Sequence, residues 1–233
     1  MWEMAGMCAA ENDPQARARR LTELARRIRA CRLCVEQPAG APLPHAPRPV
    51  FQVSQTARLL IAGQAPGVRV HASGRPFTDP SGVRLRAWLN LPEEVFYDAA
   101  RVAIVPMGFC FPGQNDKGAD LPPRRECAPA WRAQLLGALP RIQLVIAVGQ
   151  YAQAWHLGAL CRRTLTETVR NWRRAFEELS PPVIPLPHPS WRNNMWLKKN
   201  PWFEQEVLPF ARKQVARVLN LNNDELSPVK DIQ

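Results

Sequence analysis

The stretch Leu59-Leu60-Ile61-Ala62-Gly63-Gln64-Ala65-Pro66-Gly67 constrains the fold more than any other. An apolar run too short for a helix stops at a turn rich in Gly and Pro. That is the pattern of a buried strand delivering a tight loop at its carboxyl end. Three more apolar runs, at 102–105, 144–148 and 183–187, alternate with segments of helical period. Strands alternating with helices predict an α/β fold with a mostly parallel sheet covered on both faces. Open sheets of this kind bind ligands at the carboxyl ends of their strands. A second loop of the same design, Leu186-Pro187-His188-Pro189-Ser190, follows the last run, and the two loops are expected to face one another across a small pocket.

The helical segments follow from spacing. After Pro14, Leu21, Leu24, Ala25 and Ile28 recur at helical intervals among Arg17, Arg19, Arg20, Arg26, Arg27 and Arg29. Further helices are predicted over 83–91, 124–139, 150–160 and 165–179, and over 201–221 with an interruption at Pro209. Val169, Trp172 and Phe176 should share one face of the fourth. Two stretches carry no period and are expected to be irregular: the proline-rich 35–56, and 68–82, whose Gly74-to-Gly82 part is dense in turn formers. A connection as long as 35–56 is uncommon unless something pins it, and a metal held by Cys31 and Cys34 would do so. The chain of 233 residues reads as one domain over 14–221, with 1–13 and 222–233 as flexible termini.

Charge narrows the partners. Thirty-one Lys and Arg against 20 Asp and Glu leave a net charge of +11. Arginine dominates, and its planar fork suits phosphate, so DNA is the expected partner. No apolar run reaches the roughly 18 residues that would span a bilayer. The start, with Glu3, lacks the apolar core of a secretory signal, so a cytoplasmic monomer away from membranes is expected. The fingerprints G-x-G-x-x-G and G-x-x-x-x-G-K-[ST] are absent, so no nucleotide cofactor is expected; the nucleophile elbow G-x-S-x-G is absent too.

Two constellations carry chemistry. Cys31, Cys34, Cys110 and Cys127 lie at element edges or in irregular backbone rather than at core intervals. Four thiolates suit an iron–sulfur cluster or tetrahedral zinc, and spacing alone does not choose between these and small buried thiols. Cys8 and Cys161 read as plain. The second constellation is Gln64, Phe77 and His188. Proteins that work on nucleobases extrude them, stack them on aromatic rings and grip their edges with hydrogen bonds. Phe77 offers the ring. His188 offers a donor to a carbonyl whose negative charge grows as a glycosidic bond breaks. Beside it, the run from Ser190 through Trp191, Arg192 and Asn193 to Lys198 interleaves aromatic and basic groups, as a loop does that contacts phosphates while an apolar wedge probes the stack. An α/β enzyme acting on a small ligand, such as a nucleoside hydrolase, is the competing class. Salt-dependent affinity for oligonucleotides separates the two.

As a set, these motifs resemble the uracil-DNA glycosylase superfamily, and within it the iron–sulfur families of bacteria and archaea. There the first motif reads G-E-x-P-G with a following G-R-P-F. Here it is Gly63-Gln64-Ala65-Pro66-Gly67 with Gly74-Arg75-Pro76-Phe77. The family's H-P-S is His188-Pro189-Ser190, and its four cluster cysteines match Cys31, Cys34, Cys110 and Cys127 in order. The resemblance implies a three-layer α/β/α sandwich around four parallel strands, and hydrolysis of the bond to a flipped-out base, uracil first. It also implies a structural [4Fe–4S] cluster. Phe77 would stack on the base, His188 would support its O2 edge, and Gly63 to Gly67 would line the pocket. Arg192 would lie near the DNA backbone. Three positions depart from the pattern: Gln64 stands where those families have Glu, Ala65 where the best-known uracil enzymes have an acid, and Pro106 or Met107 where an asparagine reads uracil. Asp79, His71 or Asn115 would have to compensate, or the substrate differs (hypoxanthine and xanthine are the alternatives), or the protein binds DNA without turnover.

Overall fold

The computed structural model describes residues 13–222, so the expectation about the chain ends, like that for Cys8, falls outside the described residues, apart from Asp13 and Asn222. In chain order, helix α1 (Pro14–Arg29) and the single turn α2 (Leu33–Glu36) precede strand β1 (Leu59–Ala62). Three helices follow, α3 (Val68–Ser73), α4 (Pro80–Leu89) and α5 (Glu93–Phe96), then β2 (Val102–Ile104) and α6 (Cys127–Gly137). Next come β3 (Leu144–Val148), α7 (Gln150–Leu157), α8 (Leu165–Arg170), α9 (Trp172–Glu178) and β4 (Val183–Leu186). Last are α10 (Asn194–Lys199) and α11 (Leu208–Leu219). The four strands form one sheet in the order β2-β1-β3-β4, every pairing parallel.

The strands alternate their side chains between two apolar layers. Leu59, Ile61, Ile104, Ile146 and Ile184 pack with α4 and α11. Leu60, Ala62, Ala103, Val145 and Val183 pack with α1, α6 and α7. Every strand residue is buried, which is why these segments read as continuous apolar runs. The three-layer α/β/α sandwich is the expected one.

Local chemistry sets the ends. Asp13 caps α1 by accepting from the N–H groups of Gln15 and Ala16 at 2.9 and 3.1 Å, with Pro14 in the first turn. Helix α4 starts at Pro80, three residues before the expected Val83, because Asp79 in the preceding turn is its cap, accepting from Gly82 N–H at 3.2 Å. The predicted helix over 165–179 is two helices, divided at Asn171, whose ψ of 15° leaves the helical range. Ahead of Pro209 the last helix opens into a π turn over Phe203–Val207, because proline brings no N–H to the ladder.

Two helices occupy stretches expected to be irregular. One is α3, closed by Gly74 in the left-handed region at φ 71°; the other is α10. The segment 35–56 is irregular apart from the end of α2, as expected. It is pinned by hydrogen bonds: Gln52 bridges Ile104 through both backbone groups, and its amide reaches the carbonyls of Phe96 and Val102.

Candidate active site

The carboxyl ends of β1, β2 and β4 open onto one cleft of ≈ 750 Å³. Its lining brings together the expected residues from three loops: Gly63, Gln64, Ala65, Pro66 and Gly67 after β1, Phe77 and Asp79 before α4, and His188, Ser190, Arg192 and Asn193 after β4. Lys198 is exposed on α10 and does not line the cleft.

The first loop is fixed through its carbonyls. Met107 N–H donates to Gly63 O at 2.9 Å and Gly108 N–H to Gln64 O at 3.0 Å. Gly63 serves a close approach: a Cβ there would lie 3.2 Å from Cζ of Phe77, so the ring rests on the glycine. His188 and Gln64 both approach Gly149, where a Cβ would lie 3.6 Å from His188 Cβ and 3.9 Å from Gln64 Oε1. The loop after β1 thus carries the ring on Gly63 and brings Gln64 to the same glycine, Gly149, that His188 packs beside.

Phe77 is held in an unusual conformation. Its φ of 55° lies in the left-handed region, which a bulky residue enters only under constraint. Tyr97 Oη donates to its carbonyl at 3.0 Å. The same carbonyl lies so near α4 that a Cβ on Gly82 would sit 1.8 Å from it. The ring meets the edge of Phe96 at 6.1 Å and 82°. Tyr97 is in turn covered by the Arg75 guanidinium, 3.4 Å from its ring centre, and Arg75 pairs with Glu93 at 3.2 Å. The motif Gly74-Arg75-Pro76-Phe77 thus positions its own aromatic ring.

Burial lowers the pKa of His188, while the charges of Asp79 and Asp120 pull the other way. The net direction favours a neutral imidazole, able to donate one hydrogen bond. Its backbone carbonyl accepts from Asn193 Nδ2 at 2.7 Å, so the Asn193 amide is turned into the fold. Arg84 on α4 locks the next turn by donating to Ser190 O at 3.3 Å and Asn194 Oδ1 at 2.8 Å. Trp191, 69% exposed, stands at the rim of the cleft.

Of the groups offered as compensation for the missing acid and asparagine, Asp79 lines the cleft, with one oxygen capping α4. His71 does not; it packs against His45 and Phe111. Asn115 instead shapes a turn, accepting from the N–H groups of Lys117 and Ala119. The residues that sequence reasoning missed are Arg84, Gln114 and Asp120, which also line the cleft. The legible signal for the last two was Asn115 and Gly118, turn formers that fold their flanks together.

Cys31 follows α1, Cys34 lies in α2, Cys110 follows β2 and Cys127 opens α6. Cys127 lies near enough to Cys110, Cys34 and Cys31 to feel a charge on each. Trp131 Nε1 donates to Cys31 Sγ at 3.2 Å and Phe109 N–H to Cys127 Sγ at 3.3 Å, bonds that favour thiolates. Burial acts the other way, pushing the Cys110 and Cys127 thiols up to about 12. Among the described residues no three His, Cys, Asp or Glu side chains close around a single-ion position. Cys161 lies apart, beside Thr168.

An open parallel sheet with a polar cleft at its carboxyl edge, backed by glycine loops, defines the class of α/β proteins that bind ligands at that edge. The family model of the uracil DNA glycosylase superfamily matches residues 50–212. The chain belongs to the uracil-DNA glycosylase superfamily, and the match includes both loops, Phe77, His188, Cys110 and Cys127. Among the described residues no helix is long and apolar enough to cross a membrane.

Proposed function

We propose that the protein is a DNA N-glycosidase that hydrolyses the bond between deoxyribose and an extruded deaminated base, with uracil as the first substrate. The observation that carries this reading is the placing of Phe77 and His188 in the lining of one cleft, with Phe77 resting on Gly63 of the first loop. The base stacks on Phe77. As the bond breaks heterolytically, negative charge gathers on the departing ring, and the neutral imidazole of His188 donates to the carbonyl that receives it. Gln64 orients water or base through its amide. The basic surface holds the DNA backbone, with Arg192 near a phosphate, Lys198 outside the cleft as a further contact, and Trp191 as the apolar wedge that fills the gap in the stack. The protein acts as a cytoplasmic monomer.

Four soft donors from three segments, with N–H groups aimed at sulfur, fit a [4Fe–4S] cluster held by Cys31, Cys34, Cys110 and Cys127. Such a cluster supplies a structural cross-link; in this chain it joins α1 and α2 to the connection after β2. Zinc is the alternative occupant, and analysis for iron and sulfide distinguishes them.

The test is base release from oligonucleotides carrying uracil, hypoxanthine or xanthine, with His188→Ala and Gln64→Glu alongside. Release by the wild type that His188→Ala abolishes supports the reading. A second reading, DNA binding without turnover, is favoured by the neutral Gln64 and by Pro106 in the cleft wall. Binding without release from any of the three substrates selects it.

A further inference from the structure

The cleft carries carboxylates even though the loop 63–67 supplies none. Among the described residues these are Asp79 and Asp120. Asp79 spends one oxygen on the cap of α4. Asp120 is placed differently. The connection after β2 folds back on itself, with Gln114 bridged to Asp120 and Leu121 N–H donating to Gly113 O at 2.9 Å. Asn115 Oδ1 closes the turn between them by accepting from Lys117 and Ala119. Gln114 Nε2 holds Oδ1 of Asp120 at 3.0 Å. Its Oδ2 reaches over Gly67, 3.2 Å from where a Cβ would stand, so the glycine leaves the space that the carboxylate uses.

Depth in the cleft assigns the task. Gly63, Pro66, Ile104 and Pro106 are buried and form the floor, whereas Asp120 is exposed at the mouth. An extruded nucleotide enters base first, and its sugar stays at the mouth because the backbone tethers it. A carboxylate there faces the sugar and incoming water, not the edge of the base. The charge of Asp120 is also felt at His188, as one shared cavity requires.

We propose that Asp120 is the catalytic carboxylate of this protein, activating the water that attacks C1′, a task left open where Gln64 replaces an acid. The assignment rests on the glycosidase reading above. The C1′–N bond breaks with its electron pair leaving on the base, whose anion His188 stabilises. The water oxygen forms the new bond to C1′ and gives its proton to Asp120, which passes it to solvent, and the free base takes a proton from solvent. The family's first motif is thus answered here from the connection after β2.

The test is single-turnover release of uracil from an oligonucleotide by the full-length protein, with DNA affinity measured in parallel. Asp120→Asn keeps an oxygen for the Gln114 bond, so the turn is retained while the base is lost. It should slow release by about 100-fold or more, the ordinary contribution of a general base, with affinity unchanged. Added formate should restore part of the rate to Asp120→Ala. Gln64→Glu combined with Asp120→Asn should recover activity by returning the carboxylate to the first loop. An active wild type matched within about threefold by Asp120→Asn overturns the assignment alone, because a general base contributes far more. So does a loss that parallels weakened binding and responds to neither formate nor Gln64→Glu. A wild type that releases no base overturns the glycosidase reading, and this assignment with it.

Discussion

Single side chains in this protein are placed by neighbours that fix the backbone first. Phe77 is the clearest case, since its carbonyl is held by Tyr97 and its ring lies on Gly63. Stacking of a base on an aromatic ring contributes about 1–3 kcal/mol, so Phe77→Ala should weaken binding to DNA with an extruded base by roughly 10- to 100-fold. Titration with an oligonucleotide carrying a non-hydrolysable analogue measures this. His156 makes a prediction about stability. It accepts a hydrogen bond on Nε2 from the guanidinium of fully buried Arg132 at 2.6 Å, and burial with that neighbouring cation lowers its pKa from 6.5 to about 3. Between those values the unfolded chain binds the proton and the folded protein does not. Stability is therefore whole above pH 6.5 and falls as acid is added, by about 2 kcal/mol at pH 5. Urea unfolding at pH 7 and pH 5 should show that loss, reduced in His156→Gln by about the same amount.

Contacts between elements, rather than elements alone, give the cleft its shape. The first turn of α4 runs against the Phe77 carbonyl, and the only residue that fits there is glycine. Gly82→Ala places a methyl 1.8 Å from that oxygen. It should destabilise the fold by about 2–3 kcal/mol, as overpacking does, and weaken DNA binding by moving Phe77; thermal melts with a binding assay separate the two effects. Helix α6 is joined to the end of β2 by Arg132, which donates to Val105 O at 3.1 Å and Pro106 O at 3.0 Å. Arg132→Met leaves both buried carbonyls unpaired, at about 1–3 kcal/mol each. Chemical denaturation should register a loss of about 2–6 kcal/mol, the two carbonyls together. Nothing in the local pattern of 124–139 marks this arginine as buried, because a helical arginine usually faces water and only the packed sheet end gives it acceptors.

At the scale of the whole molecule the excess of 31 basic over 20 acidic side chains acts through its field. Neutralised phosphates release counterions, so DNA affinity should fall steeply with salt, linearly on logarithmic axes. Lys198→Ala should flatten that line by about one unit of slope if the residue meets a phosphate, with little dependence on sequence. Binding isotherms over a salt series measure both quantities.

The sequence by itself determined the layering and the location of the site. Buried parallel strands must be apolar throughout, and loops that approach a ligand need Gly and Pro, so both leave local patterns in β1 to β4 and in the loops after β1 and β4. The sequence also placed Gln64, Phe77, Asp79 and His188 at loop ends that the fold brings into one cleft. Only the tertiary structure decided the rest. The helices α3 and α10 were hidden because six residues offer too little periodicity to outweigh turn formers. Asp120 and Arg84 were hidden because their significance lies in what stands opposite: Gly67, 53 positions away for one, and the Ser190 carbonyl, 106 positions away for the other. A chain records its periods locally, whereas the meeting of distant loops is set by how the sheet is threaded, and no single stretch carries that information.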